Sequence, residues 1–420
     1  MKLTMSKLEN IFLVLSLAFY LNFVTFLTSF LSYGGASGDA SAAAAGNPIN
    51  QLVGISLLFL SILLIVRKRS ISAMFFVRQG YPWILLIVFF IAALQWSESP
   101  SISFRRIVAF STLIAVTFVL AQIYSPSSLL KCVYQLIIVS VIVGLFWTII
   151  QGKPLSIGLG DRAAGFRGIF SDKNGAARLY AYGLILGIGL QQYKSKAQLL
   201  RLVILGVALS LSQSASAIVL AGMGSGLIVL FRLSKSGHKQ QNLLRFILTI
   251  VFVIFLSYVL MSLYSYILEF LGRDPNLTNR AIIWELLTPS IEENFYLGHG
   301  FGTFWASAAS SAFIERWGYI ANAHSGYFEV MLHGGIVAFT IFIYLLFIFI
   351  KRIFWTYINT PSESINELLL ALLIVQITGN YVAYIILNHN SADMFIFSLS
   401  FFISARMYLS QKRENALAKG

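Results

Sequence analysis

The sequence predicts an all-α, polytopic membrane protein with about twelve transmembrane helices. Three observations predict this class. Of 420 residues, 58% are hydrophobic and only 11% are charged, against roughly 25% charged in an ordinary soluble domain. So few charges cannot cover a soluble surface of this size. The apolar residues also fall in continuous runs of roughly twenty, the length a helix needs to cross a bilayer. The strand alternation of an outer-membrane barrel is absent.

Lys2 and Lys7 precede an apolar run at 11–31, which reads as a retained first span. The alanine-rich GDASAAAAGN at 38–47 keeps a cleaved signal as the alternative. Further spans are expected at 50–66, 82–95, 105–124, 131–150, 174–191, 199–215, 217–231, 246–268, 326–350, 366–388 and 392–408. The boundary at LSLSQSASA, 209–217, is the softest of them. With the N-terminus in the cytoplasm, about two-thirds of the lysines and arginines fall on that side, as the positive-inside rule requires. Both termini are then cytoplasmic. The whole of 1–420 reads as a single membrane domain with two outer loops, at 151–173 and 269–325, the second large enough for short helices.

The net charge of +14 lies between apolar spans rather than in a folded basic domain, so nucleic acid is not an expected partner. One cysteine, Cys132, rules out an intrachain disulfide.

The basic residues that break the topology rule are informative. Arg105 and Arg106 open the fourth span. Lys153, Arg162, Arg167, Lys173 and Arg178 lie in or beside the first outer loop, and Arg273, Arg280 and Arg316 lie in the second. Headgroup contacts and loop ion pairs are one reading; an anionic substrate on the outer face is the other. Guanidinium suits phosphate because it is planar, always charged and offers a fork of donors. In the first loop Asn174 resembles an N-cap, and a helix N-terminus adds further donors to an anion.

The second loop has three parts. LTNRAIIWELL reads as a helix with Thr278 near its N-cap and Arg280, Trp284 and Leu287 on one face. GHGFGTFW carries three alternating glycines, which suit a tight irregular turn. NAHSGYFEVMLHGG places His324 where the tenth span begins. The positive end of that helix disfavours imidazolium, so a neutral imidazole suited to general-base work is expected; a mere interfacial cap is the alternative. Glu329, one turn into the span, needs a partner. His299 and His333 read as turn and packing residues, and His389 lies in a short outer turn. Walker, HExxH, CxxC and Gly-x-Ser-x-Gly motifs are absent from the sequence.

Read together, FRGIFSDKNGAA (166–177), LTNRAIIWELL (277–287), GHGFGTFW (298–305) and NAHSGYFEVMLHGG (322–335) resemble the O-antigen ligase and polymerase superfamily, most closely its exopolysaccharide-polymerase branch. QWSESPSISFRR (95–106) and LSLSQSASA add weaker support. The resemblance implies a GT-C-like glycosyltransferase of the bacterial inner membrane, acting at its periplasmic face among membrane lipids. It implies an undecaprenyl-diphosphate-linked glycan as donor and a second glycan or a lipid A core as acceptor. A flippase and a chain-length regulator are the protein partners that go with such a role. Carried over by position, the catalytic residues are His324, Arg280 and Arg167. Arg162, Arg273, Lys173 and Asn174 are expected around the donor, with Trp284 and Trp305 as sugar platforms or interfacial anchors. The donor is already activated, so neither cofactor nor metal is expected. Ser325 and His333-Gly334-Gly335 depart from the usual pattern, which bears on the acceptor side. A membrane transporter, of bicarbonate by the labels some relatives in the superfamily carry, is the rival reading from another class.

Overall fold

The computed structural model describes residues 5–31, 46–68, 71–151, 165–234, 241, 243–248, 251, 280–317, 322–360 and 364–417. In order the helices are α1 (Met5–Tyr20), α2 (Phe23–Leu31), α3 (Pro48–Arg67), α4 (Ala73–Ala92), α5 (Pro100–Ile123), α6 (Pro126–Ile150), α7 (Lys173–Gly189), α8 (Lys196–Leu211), α9 (Ala215–Ser234), α10 (Arg280–Glu293), α11 (Ser311–Trp317), α12 (Gly326–Asn359), α13 (Ser364–Val382) and α14 (Ala392–Leu417). No strand occurs among the described residues. Eight helices among the described residues are long and apolar enough to cross a membrane: α3, α4, α5, α6, α9, α12, α13 and α14. The protein is therefore an all-α, multi-pass membrane protein.

The spans expected first, sixth and seventh fold as shorter helices, α1 with 16 residues, α7 with 17 and α8 with 16. Asn22 at φ +71 separates α1 from α2 inside the first expected span. The ninth expected span, 246–268, lies mostly outside the described residues, as do Arg162, Arg273, Thr278 and His238.

Side-chain contacts define two ends of the bundle. At one, Lys68 pairs with Glu9 at 2.9 Å. There too Arg232 donates to the carbonyls of Ile188 and Gly189, and Arg406 to those of Ala121, Gln122 and Tyr124. These cations sit on C-terminal helix carbonyls, where the dipole favours positive charge. At the other end, Asn22 donates to Ile169 O, Trp96 to Leu297 O and Ser103 to Phe301 O. The loops before α7 and around α10 and α11 gather at this second end.

α14 runs through the core. Every residue from Asp393 to Ala405 is buried. A helix buried all round must be apolar all round, and Phe395, Phe397, Phe401 and Phe402 supply that surface. One of its buried hydroxyls, Ser398, is matched by Thr117 of α5 at 2.7 Å. At the periphery α3 leaves Leu52, Ile55, Phe59, Ile62 and Val66 exposed, as a lipid-facing helix should.

α12 is broken inside. Gly334 (φ −153°, ψ 19°) and Gly335 (φ 58°, ψ −156°) leave the helical region. The segment before the glycine-rich turn fills the gap: Ile336 N–H donates to Phe295 O at 2.8 Å, and His299 N–H to Leu332 O at 2.8 Å. The freed backbone groups thus find partners in protein rather than in lipid, the condition for irregular backbone at membrane depth. A Cβ on Gly335 would lie 2.4 Å from Phe295 O, at a φ that L residues avoid. Gly335→Ala should therefore destabilise the fold by about 1–3 kcal/mol, seen as a lower thermal midpoint in detergent. An unchanged midpoint would show that the two segments do not pack this closely.

Candidate active site

His324 stands at the second end of the bundle, between the loop and α12. It is half-buried, with φ +51°. A non-glycine residue in this region is strained, and such strain persists only where neighbours over-determine it. They do so here. His324 N–H donates to Asn322 Oδ1 at 3.0 Å, closing an Asx turn. Ala323, fully buried, is tied on both sides: its N–H donates to Glu329 Oε1, and its C=O accepts from Trp284 Nε1 at 3.0 Å. Gly326 then starts the helix, donating to Ala383 O at 3.0 Å. A Cβ there would overlap the Asn380 side chain, so only glycine lets α12 start this close to α13.

The expected bias toward the neutral imidazole has a different cause. The N-cap is Ser325, and the helix begins at Gly326, so His324 precedes the cap. Its pKa is lowered below the ordinary 6.5 first by burial and second by the positive charge of Arg280. Asp172 and Glu329 oppose that shift, and Arg178 adds to it weakly. Burial and a neighbouring guanidinium do what the sequence had assigned to the helix dipole.

Arg280 is the first residue of α10. One turn later Trp284 stacks on Phe328 of α12 (5.4 Å, 15°) and meets Tyr381 edge-on. Leu287, a further turn on, is fully buried. The face proposed from spacing is thus the packed face, and it fixes Arg280 relative to His324 through the Trp284–Ala323 bond. Trp284 is committed to this packing.

The first loop contributes Asp172, which N-caps α7: its oxygens accept from Asn174 N (3.2 Å) and Gly175 N (2.7 Å). The expectation that Asn174 is the cap is corrected; Lys173 and Asn174 are first-turn residues. The carboxylate already occupies two of the helix's free N–H donors. Arg167 is exposed, with Nη1 on Ser171 O at 3.2 Å. It rides on the turn that leads into Asp172, the residue whose charge reaches His324. Phe166 N–H bonds Leu211 O at 2.9 Å, which docks this loop on the LSLSQSASA turn between α8 and α9. Arg178 is no substrate ligand in this arrangement. It forms a bidentate, largely buried pair with Asp393 of α14 (2.9–3.2 Å).

One expectation changes and one holds. Trp305 is 4% exposed, packed edge-on against Phe304 and Phe313, and bonded to Glu329 at 2.9 Å. Its ring is unavailable as a sugar platform. His299 is a turn residue: Nε2 meets Ser290 O at 2.9 Å and Nδ1 meets Asn294 Nδ2 at 3.3 Å. Arg106, one of the cations that break the topology rule but not placed at the site, lies against Gly302 of the glycine turn. With burial first, Arg106 and His333 keep the pKa of His389 well below its ordinary value. Its position in QWSESPSISFRR was the available signal.

The arrangement brings Arg280 and the Asp172 end of α7 within electrostatic reach of His324. It sets a guanidinium near an imidazole whose pKa is lowered. Arg162 and Arg273 lie outside the described residues.

Residues 200–343, about a third of the chain, match the sequence model of a family described as O-antigen ligase. The match spans most of α8 through the first half of α12, and so includes Arg280 and His324 but not Arg167. It supports the resemblance to the O-antigen ligase and polymerase superfamily. No curated protein matches the chain significantly.

Proposed function

We propose, with the O-antigen ligase match as the premise, that the protein is a membrane glycosyltransferase that polymerises undecaprenyl-diphosphate-linked oligosaccharide repeats at the periplasmic face. The observation that carries this reading is His324 on a clamped backbone, its pKa lowered by burial and by the charge of Arg280. In the reaction an acceptor sugar hydroxyl attacks the anomeric carbon of the donor glycan. The bond from that carbon to the diphosphate oxygen breaks, with inversion. His324 takes the hydroxyl proton as general base. Arg280 and Arg167 stabilise the charge that builds on the departing diphosphate. Lys173 adds positive charge at the same loop. Asn174 is proposed to orient polar atoms of the donor through its side chain, since its N–H is taken. Arg162 and Arg273 are proposed as further donor contacts.

The charge pattern supports an orientation with both termini in the cytoplasm, the inner membrane as location and the loops at 151–173 and 269–325 outside. Lipid-linked repeats delivered by a flippase, and a chain-length regulator acting on the product, complete the proposed setting.

The test is the lipid-linked pool in a strain lacking the gene. Accumulated single repeats and lost polymer, restored by wild type, support the polymerase. Normal polymer with uncapped lipid A core would favour transfer to that core, the ligase alternative. Normal glycans with reduced bicarbonate uptake would favour transport and overturn the reading.

A further inference from the structure

We infer that Glu329 is a positioning residue for His324, acting as a carboxylate buried at the start of the membrane span. The inference rests on the reading of His324 as the base.

Glu329 is 1% exposed. A buried ionisable group at this depth is costly unless its oxygens are satisfied. Here they are satisfied by groups that do little else. Oε1 accepts the Ala323 N–H and the Trp305 Nε1–H, the latter at 2.9 Å; Oε2 faces His333 Nε2 at 3.2 Å. The Ala323 N–H, the Trp305 indole N–H and the His333 ring converge on this one side chain. His333 Nδ1 is buried with no hydrogen-bond partner. A proton there would be an unmet donor, so the ring proton belongs on Nε2, pointing at Glu329.

The three donors come from three parts of the outer end. Trp305 ends the glycine-rich turn, Ala323 precedes the base, and His333 precedes the helix break. Phe301 of the same turn meets the His333 ring edge-on at 5.2 Å, and Tyr384 meets it from the α13–α14 loop at 5.7 Å. One carboxylate therefore locks the turn, the break and the backbone of His324 into a single register. The strained φ of His324 is held from behind by this bond and from the side by Trp284. Glu329 does not touch the substrate; it fixes where the imidazole sits.

Glu329 also places negative charge near the base. The charged groups facing His324 are Arg280 on α10, Asp172 and Arg178 on α7 and Glu329 on α12. Loss of the carboxylate should therefore lower the pH at which His324 becomes basic, while loss of backbone support lowers turnover.

The test uses the purified full chain with Glu329→Gln, Glu329→Ala and Trp305→Phe. The first readout is transfer from a lipid-diphosphate-linked glycan. Glu329→Ala should lose on the order of 100-fold in kcat with KM unchanged, as expected when a reacting group is misplaced by about 1 Å. Glu329→Gln keeps one oxygen but sets an amide N–H against His333 Nε2–H, so it should fall between the alanine variant and wild type. Trp305→Phe should lose less than Glu329→Ala. The second readout needs no transfer activity: the pH midpoint for modification of His324 by diethyl pyrocarbonate, followed by mass spectrometry. It should move to lower pH in Glu329→Gln. Should Glu329→Ala fail to fold, the glutamine variant decides. Wild-type turnover in Glu329→Gln, or reduced turnover with an unmoved His324 midpoint, would overturn the inference. A moved midpoint in a protein that transfers no glycan would uphold the clamp and refute the proposed function.

Discussion

His324→Ala should lose about 10²- to 10⁴-fold in turnover, the usual contribution of a positioned general base. Donor binding should be little changed, because the diphosphate is held by cations rather than by the imidazole. Radiolabelled transfer by purified protein, with separate donor-binding measurements, reads both quantities. The pH profile gives a second check. Activity requires the neutral ring, so kcat/KM should rise with pH through the pKa of His324. Burial and Arg280 place that limb below the ordinary 6.5. An alanine variant with wild-type turnover would remove His324 from the chemistry. Weak donor binding with intact turnover would make it a ligand instead.

Arg280 should have the next largest effect, and its two roles can be separated. Arg280→Gln removes the charge that stabilises the leaving diphosphate, and a loss on the order of 10²- to 10³-fold is expected. It also removes a charge that disfavours imidazolium, so the acid limb should move up in pH. Arg280→Lys keeps the charge and loses the fork of donors. The limb should stay where it is, while turnover falls by about 10- to 100-fold, equivalent to one charge-assisted hydrogen bond. Identical limbs in all three proteins would show that Arg280 does not act on His324. The shift expected here is opposite in sign to that from Glu329→Gln, which makes a general loosening of the site a poor explanation for both.

Much of the fold was legible in the sequence because a bilayer restricts the alternatives. A continuous apolar run near spanning length is a helix, and α3, α5, α6, α9 and α12 fall where such runs lie. The break in α12 was less legible. Gly334 and Gly335 are visible in the sequence, but their effect depends on the backbone of 295–299 entering the gap. Arg178 looked like an outer-loop cation; its partner, Asp393, lies 215 positions away, beyond any local pattern.

The candidate site divides in the same way. His324 and Arg280 stood out as candidates by residue type and expected outer position, and their roles came from the family resemblance. The cause of the lowered His324 pKa was not, because burial is a property of the packed fold. Trp305 was read as a platform or an anchor because Trp is enriched at membrane–water interfaces. Its indole N–H instead satisfies Glu329, whose need for a partner was apparent while the partner was not. Asn174 resembled a cap by residue type, yet Asp172 two positions earlier takes that role.

The most direct measurement is coupled product counting. Purified protein in lipid vesicles is given an undecaprenyl-diphosphate-linked repeat, and released undecaprenyl diphosphate is counted against new glycosidic bonds. The account predicts one diphosphate per bond with wild type, and both products reduced together in His324→Ala and Arg280→Gln. Bond formation unaffected by either substitution, or vesicles that move an anion and form no bond, would contradict it.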